Sequence, residues 1–228
     1  MNDISSTSAL VLLWSMGKKD DTSLSSKYLE FLNLESAREL YLKCNQVWPF
    51  YSEVIKNRKK CVWDLTQLGL NDENVLQVII LGAGMDPLSL DIISKNQSVK
   101  IFEIDFSMDE KKAVIEKMDS TLLDSLAMIS VDLKKPDELL KSLVKSGWNP
   151  KYSTLVVLEG ISYYLSEKIM NSILRLFKTE NKKNRVIFEY LVSQDLVSKK
   201  GAANAKKIFD LISEDIMRQM IDEEFVVA

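Results

Sequence analysis

The chain has 228 residues, enough for one domain with a sizeable core, and its 46% apolar and 28% charged content is ordinary for a globular protein. A net charge of −3 gives no global basic field to gather nucleic acid, and the lack of any histidine removes the commonest general base and metal ligand. Cys44 and Cys61 form neither a disulfide framework nor a metal motif, so free thiols in a reducing, cytoplasmic setting are expected, with no metal.

Residues 1–70 read as helical, with apolar residues at i, i+3 and i+4 over Thr7 to Met16, Ser25 to Phe31, Leu34 to Leu42 and Trp48 to Leu68. The apolar run Ala9 to Trp14 is too short to span a bilayer and no basic segment precedes it, so no membrane role is expected. Lysines cluster at Lys56 to Lys60 and at three later pairs, each near acidic residues, and read first as solvated surface.

From residue 75 the pattern turns to β-α-β. Strands are expected at Leu76 to Leu81, Val99 to Ile104, Leu126 to Val131, Ser153 to Leu158 and Asn184 to Tyr190. Between and after them, helices are expected over Asp86 to Ser94, Met108 to Met118, Pro136 to Ser146, Ser166 to Phe177 and Ala202 to Met220. Five strands alternating with helices predict an α/β fold, a mostly parallel sheet covered on both faces. The division expected is a helical cap over residues 1–70 on a Rossmann-like cofactor-binding region over 71–228, one structural domain overall. Glu224 to Ala228 could open a further strand.

The first strand breaks into Gly82-Ala83-Gly84-Met85-Asp86-Pro87, a glycine turn leading into a helix start. Such a turn lets a ligand approach the backbone and offers N–H donors at the helix N-terminus. A dinucleotide fold usually places a third glycine where Pro87 stands. Asp86 as N-cap and Pro87 at N1 make a good helix start but set a carboxylate where a pyrophosphate would sit. A cofactor without phosphate is preferred, and S-adenosylmethionine fits. The second strand ends at Asp105, 21 residues after Gly84, where a carboxylate can accept from both ribose hydroxyls; Glu103 is the competing candidate. Asp132-Leu133 after the third strand can meet an adenine, and Glu159-Gly160 follows the fourth. Carboxylates at three strand ends suit a cationic ligand.

These stretches, with Leu158-Glu159-Gly160-Ile161-Ser162-Tyr163-Tyr164-Leu165 as the most specific, resemble the leucine carboxyl methyltransferase family in order and spacing, over residues 4–192. Ile4 to Leu10 looks like the family's opening Thr-x-x-x helix, and Tyr51 to Arg58 like its Tyr-plus-Arg helix. The resemblance implies an S-adenosylmethionine-dependent O-methyltransferase. In it Arg58 pairs with the methionyl carboxylate, a role suited to a bidentate guanidinium. Gly82 and Gly84 line the methionyl part, Asp105 the ribose, and Asp132 and Leu133 the adenine, with Ala83, Asp86 and Glu103 also among the cofactor-binding residues. Glu159 sits near the cofactor's amino group, and Tyr163 and Tyr164 lie near the transfer site or serve as core.

The chain departs from the pattern in two places. Ile79-Ile80 stand where many methyltransferases carry an acidic residue, and no room is left for the antiparallel sixth and seventh strands that normally close the sheet. A truncated chain, or a sheet edge covered by a second subunit, is therefore expected. The acceptor is expected to be a small molecule or a peptide C-terminus. A carboxylate acceptor is already ionised at neutral pH and needs no base, whereas a hydroxyl would need Glu159 or a tyrosine. Two rivals remain, a nicotinamide-dependent oxidoreductase and a non-catalytic scaffold that keeps the cofactor fold.

Overall fold

Alternation along the strands divides the interior into two cores, one on each face of a central sheet. Val78 and Ile80 of one strand join Leu155 and Val157 of its neighbour on one face, while Ile79 and Leu81 join Val156 and Leu158 on the other. A period of two in side-chain direction makes continuous apolar runs serve both faces of a buried parallel sheet. The computed structural model describes residues 2–16, 23–71, 75–96, 98–192 and 196–212.

In chain order the elements are β1 (Asn2–Asp3), α1 (Ser6–Ser15), α2 (Leu24–Glu30), β2 (Leu32–Asn33), α3 (Arg38–Val47), α4 (Tyr51–Leu70), β3 (Val75–Leu81), α5 (Leu88–Lys95), β4 (Lys100–Asp105) and α6 (Asp109–Asp119). They continue with β5 (Leu126–Ser130), α7 (Pro136–Lys145), β6 (Ser153–Leu158), α8 (Glu167–Leu176), β7 (Arg185–Phe188) and α9 (Lys199–Ile212). The sheet runs β5-β4-β3-β6-β7 with every neighbouring pair parallel. The five expected strands and the parallel α/β architecture are present. Helices α1, α2, α4, α5 and α6 contribute to the first core, and α7 and α8 to the second.

Four expectations change in detail. The N-terminal segment is not wholly helical, because β1 and β2 pair in parallel through Asn2↔Leu32 and Asp3↔Asn33. Two-residue strands are too short to show alternation in the sequence. The segment expected as helix from Leu34 opens with a 3₁₀ turn at Glu35–Ala37 before α3 begins. The long fourth helix starts at Tyr51 rather than Trp48, since Trp48 precedes Pro49 and is held extended at φ −145°. Finally, Pro87 rather than Asp86 takes the N-cap position of α5, and Asp86 Oδ1 accepts from the Leu88 N–H at 2.9 Å, so the carboxylate still caps from one residue further out. The end of the last expected helix and the Glu224 to Ala228 stretch lie outside the described residues. Among the described residues, no helix is long and apolar enough to cross a membrane.

The strand order reverses direction between β3 and β6. Chain leaving β3 moves outward through β4 and β5, and chain leaving β6 moves to β7 on the other side. A crevice opens at such a switch point beyond the carboxyl ends of the strands, which is where ligands settle in open parallel sheets.

Candidate functional site

A cavity of about 280 Å³ lies at that switch point. Its floor is made by the turn after β3 (Gly82 to Asp86) and Glu159 to Ile161 after β6, with Asp105 bordering it at the end of β4. Helix α4 forms one wall, α1 another, and Phe209 and Ile212 of α9 close it. Of the residues singled out from the sequence, Arg58, Gly82, Ala83, Gly84, Asp86, Asp105, Glu159, Tyr163 and Tyr164 all line this one space.

The glycines are local necessities. Gly82 holds φ +70°, and a Cβ there would meet Ile161 Cγ1 at 2.9 Å, so both its backbone and its surroundings exclude a side chain. Gly84, at φ +47°, would place a Cβ in nearly open space, 3.9 Å from Asp105 Oδ2, so the turn leaves room on the cavity side. The turn is tied to β4: the Gly82 and Ala83 N–H groups both donate to Ile104 O (2.8 and 3.0 Å), and the Gly84 N–H donates to Asp105 Oδ2 at 2.8 Å. Asp105 Oδ1 accepts from the Phe106 N–H at 2.6 Å. Two backbone donors thus fix this carboxylate at the rim of the cavity.

An ionic cluster occupies the floor. Arg58 Nε donates to Glu159 Oε1 at 2.9 Å, and Lys59 Nζ reaches the same oxygen at 2.8 Å and Asp86 Oδ2 at 2.5 Å. Burial works against the charge on both cations, but the neighbouring carboxylates outweigh it. Glu159 is the main cause for Arg58 and Asp86 for Lys59, and both groups end above their ordinary pKa. Burial likewise opposes ionisation of Asp86, yet Lys59 holds it below the usual carboxylate range. The Gly160 N–H donates to Glu189 Oε2 at 2.8 Å, which fastens the β6 turn to the chain leaving β7.

Aromatic rings surround this charge. Trp14 meets Tyr51 edge-on at 5.0 Å, Tyr163 tilts against Tyr164 at 4.8 Å, and Tyr163 meets Phe209 at 6.1 Å. Burial raises the pKa of Tyr163 and Tyr164 against the pull of Arg58, and raises that of Tyr51 to about 12. All three phenols are therefore neutral at physiological pH; they can donate a hydrogen bond but are poorly suited to accept a proton.

Three sequence candidates sit elsewhere. Glu103 is sealed in the interior, 2.6 Å from Lys111 Nζ, with its carboxyl pushed up by burial despite that lysine, and it does not line the cavity. Facing the same side of β4 as Asp105, it lies one pleat deeper and is committed to Lys111. Asp132 Oδ1 accepts from the Lys134 N–H at 2.9 Å, and Leu133 packs in the second core; neither lines the cavity.

Lys59 also lines the cavity, a place that the composition of the charged run Lys56 to Lys60 does not reveal. Its signal was present in the spacing. Tyr51, Ile55 and Lys59 fall four residues apart and Arg58 seven after Tyr51, which puts all four on one helix face. Glu189 supports the cavity from outside by accepting from the Gly160 N–H, and nothing in its local pattern marks that role.

The model of the family described as leucine carboxyl methyltransferase matches residues 26–178. No curated protein matches the chain. Among solved structures, it is similar to a protein from Thermobifida fusca YX assigned as a candidate methyltransferase, at 17% identity and a TM-score of 0.61 over 90% of this chain and 81% of that one. It is also similar to a DUF574 family protein from Streptomyces avermitilis MA-4680, at 10% identity and a TM-score of 0.62 over 95% of this chain and 82% of the other. Those likenesses establish the fold, and the family model, running from α2 to α8 with the Gly82 turn and the Glu159-Gly160 element inside it, shows that the chain belongs to the leucine carboxyl methyltransferase family.

Proposed function

We propose that this protein is an S-adenosylmethionine-dependent O-methyltransferase that acts on a carboxylate. One observation carries the reading: a single cavity at the switch point unites the Gly82–Gly84 turn, Asp105, Glu159 and Arg58. The residues suit the cofactor. The open side of Gly84 lets a ligand lie against the turn. Asp105 at the rim has acceptor capacity left for ribose hydroxyls. Arg58 spends its Nε on Glu159, so its terminal nitrogens would meet the methionyl carboxylate. No phosphate is needed to fill the site, and Asp86 disfavours one.

When bound, the cofactor supplies an electrophilic sulfonium methyl. The chain's own task is then to exclude water with its aromatic walls and to align the acceptor oxygen for in-line displacement. The choice of carboxylate over hydroxyl follows from what the cavity offers as a base. Tyr163 and Tyr164 hold their protons, and Glu159 Oε1 carries two cations. An acceptor that arrives ionised makes a base unnecessary.

The test is titration calorimetry with S-adenosylhomocysteine, followed by transfer of labelled methyl from S-adenosylmethionine to a panel of carboxylic acids, C-terminal peptides and phenols. The expected outcome is binding, with label appearing on carboxylates. Label on phenols alone would overturn the acceptor assignment. Binding without any transfer would point instead to a cofactor-holding protein that does no chemistry.

A further inference from the structure

The ionic cluster contains one cation that the proposed reaction does not use. Asp86 follows β3 and Glu159 follows β6, so their carboxylates face each other across the switch point. A place between two carboxylates from opposite sides of the crevice is where an ammonium in this cavity would be held best. It is held already by the chain itself, with Lys59 Nζ 2.5 Å from Asp86 Oδ2 and 2.8 Å from Glu159 Oε1.

We propose that Lys59 is an internal competitor of the cofactor: its ammonium takes the amino-group subsite between Asp86 and Glu159, and the methionyl ammonium of S-adenosylmethionine gains that subsite only when Lys59 swings out. The proposal rests on the cofactor reading above. Glu159 Oε1 already receives Arg58 Nε at 2.9 Å, so a ligand ammonium arriving there would be a third cation on one oxygen. Like charges at contact distance in a partly buried site repel far more strongly than in water. Lys59 can yield. Its side chain keeps 21% of its surface open, on a flexible four-carbon stem, whereas Lys111 nearby is sealed. The groups that face it are Arg58 on its own helix, Asp86 and Glu159, so its departure moves the charge balance of the floor from two cations on two carboxylates to one. That vacated charge is what the ligand's ammonium replaces.

The prediction concerns ligands that differ only in the amino-acid end. S-adenosylhomocysteine carries the ammonium; 5′-methylthioadenosine keeps the nucleoside and thioether and lacks it. Calorimetry on the full chain with both ligands, for wild type, Lys59→Met, Lys59→Gln and Lys59→Arg, separates the possibilities. Removal of the charge is expected to tighten S-adenosylhomocysteine by about tenfold or more while methylthioadenosine changes by less than about twofold. Lys59→Arg keeps the competing cation and should bind both as wild type does. Lys59→Gln retains a donor for Asp86 and serves if Lys59→Met fails to fold. Unchanged or weaker S-adenosylhomocysteine binding in the neutral variants would overturn the proposal, as would equal tightening of both ligands. Binding that appears only in the neutral variants would support it in its strongest form. If neither ligand binds wild type or any folded variant, the cofactor reading itself falls, and this inference with it.

Discussion

Glu103 and Lys111 form an ion pair whose side chains are 0% and 1% exposed, while Arg58, Lys59, Asp86 and Glu159 keep between 8% and 23% of theirs open. The two groups nearly touch. Lys111 Nζ also donates to the Asp86 backbone carbonyl at 2.5 Å, so one residue belongs to the sealed pair through its backbone and to the open cluster through its side chain. Similar chemistry therefore serves two ends. The sealed pair has no room for a ligand and can only hold β4 against α6 and the turn after β3. The open cluster borders a cavity, and its partners can be exchanged for those a ligand brings.

The contrast breaks first at Lys111. Replacing it by Met leaves Glu103 buried without its cation, and the expected cost is about 3–5 kcal/mol in urea or thermal unfolding. The double change Lys111→Met with Glu103→Leu should recover most of it, because burying the pair costs desolvation that an apolar pair avoids. A small effect in the single variant would mean that Glu103 is relieved by taking up a proton or meeting water once Lys111 is gone. Arg58→Ala lies on the other side of the comparison. Lys59 still neutralises Glu159, so stability should fall much less, but S-adenosylhomocysteine affinity should drop roughly tenfold to a hundredfold, the worth of one charged hydrogen bond. Asp105→Ala should weaken the same ligand by a similar route; unchanged calorimetric affinity in both variants would sink the site assignment.

Alkaline titration reads two buried neutral groups, Tyr51 on the cavity wall and Cys44, its neighbour, which does not line the cavity. Burial lifts Tyr51 from 10 to about 12 and Cys44 from 9 to about 11. The native state keeps these protons longer than the unfolded chain does. Their contribution is therefore fully present below pH 9 and is lost as pH rises through about 11 to 12. Thermal midpoints by circular dichroism should decline over that window, and less steeply in Tyr51→Phe. The smallest effect is expected at a residue that belongs to neither ionic group. Ser166 caps α8 by accepting from the Ile169 N–H at 3.4 Å, and Ser166→Ala should cost about 1 kcal/mol with no change in ligand affinity.

Much of this was legible in the chain. Strands rich in Val and Ile between turn signals revealed the sheet, and Gly82, Gly84 and Pro87 marked the crevice, because positive φ and a helix start leave few residue choices. Arg58 was recognisable through its resemblance to the family's Tyr-plus-Arg helix. What could not be read was which carboxylate faces the cavity and which faces a lysine. Glu103 and Asp105 share a strand face, and it is the docking of α6, which brings Lys111 against the deeper Glu103, that commits one to the interior and leaves the other to the cavity. Lys59 was hidden for the converse reason. A lysine in a charged run looks solvated until the helix is docked and its face found to look onto Asp86.

Helix α1 and helix α9 stand at opposite ends of the described chain, and both wall the cavity, through Thr7, Ser8 and Val11 on one side and Phe209 and Ile212 on the other. The sheet between them can pair strand by strand as the chain is made. The cavity cannot be complete until residues about two hundred positions apart have met, a closure of high sequence separation. During synthesis the pocket is therefore completed late, after the strands that form its floor. Acquisition of ligand affinity should consequently follow assembly of the sheet, and a refolding reaction followed by ligand capture should lag the same reaction followed by backbone signal.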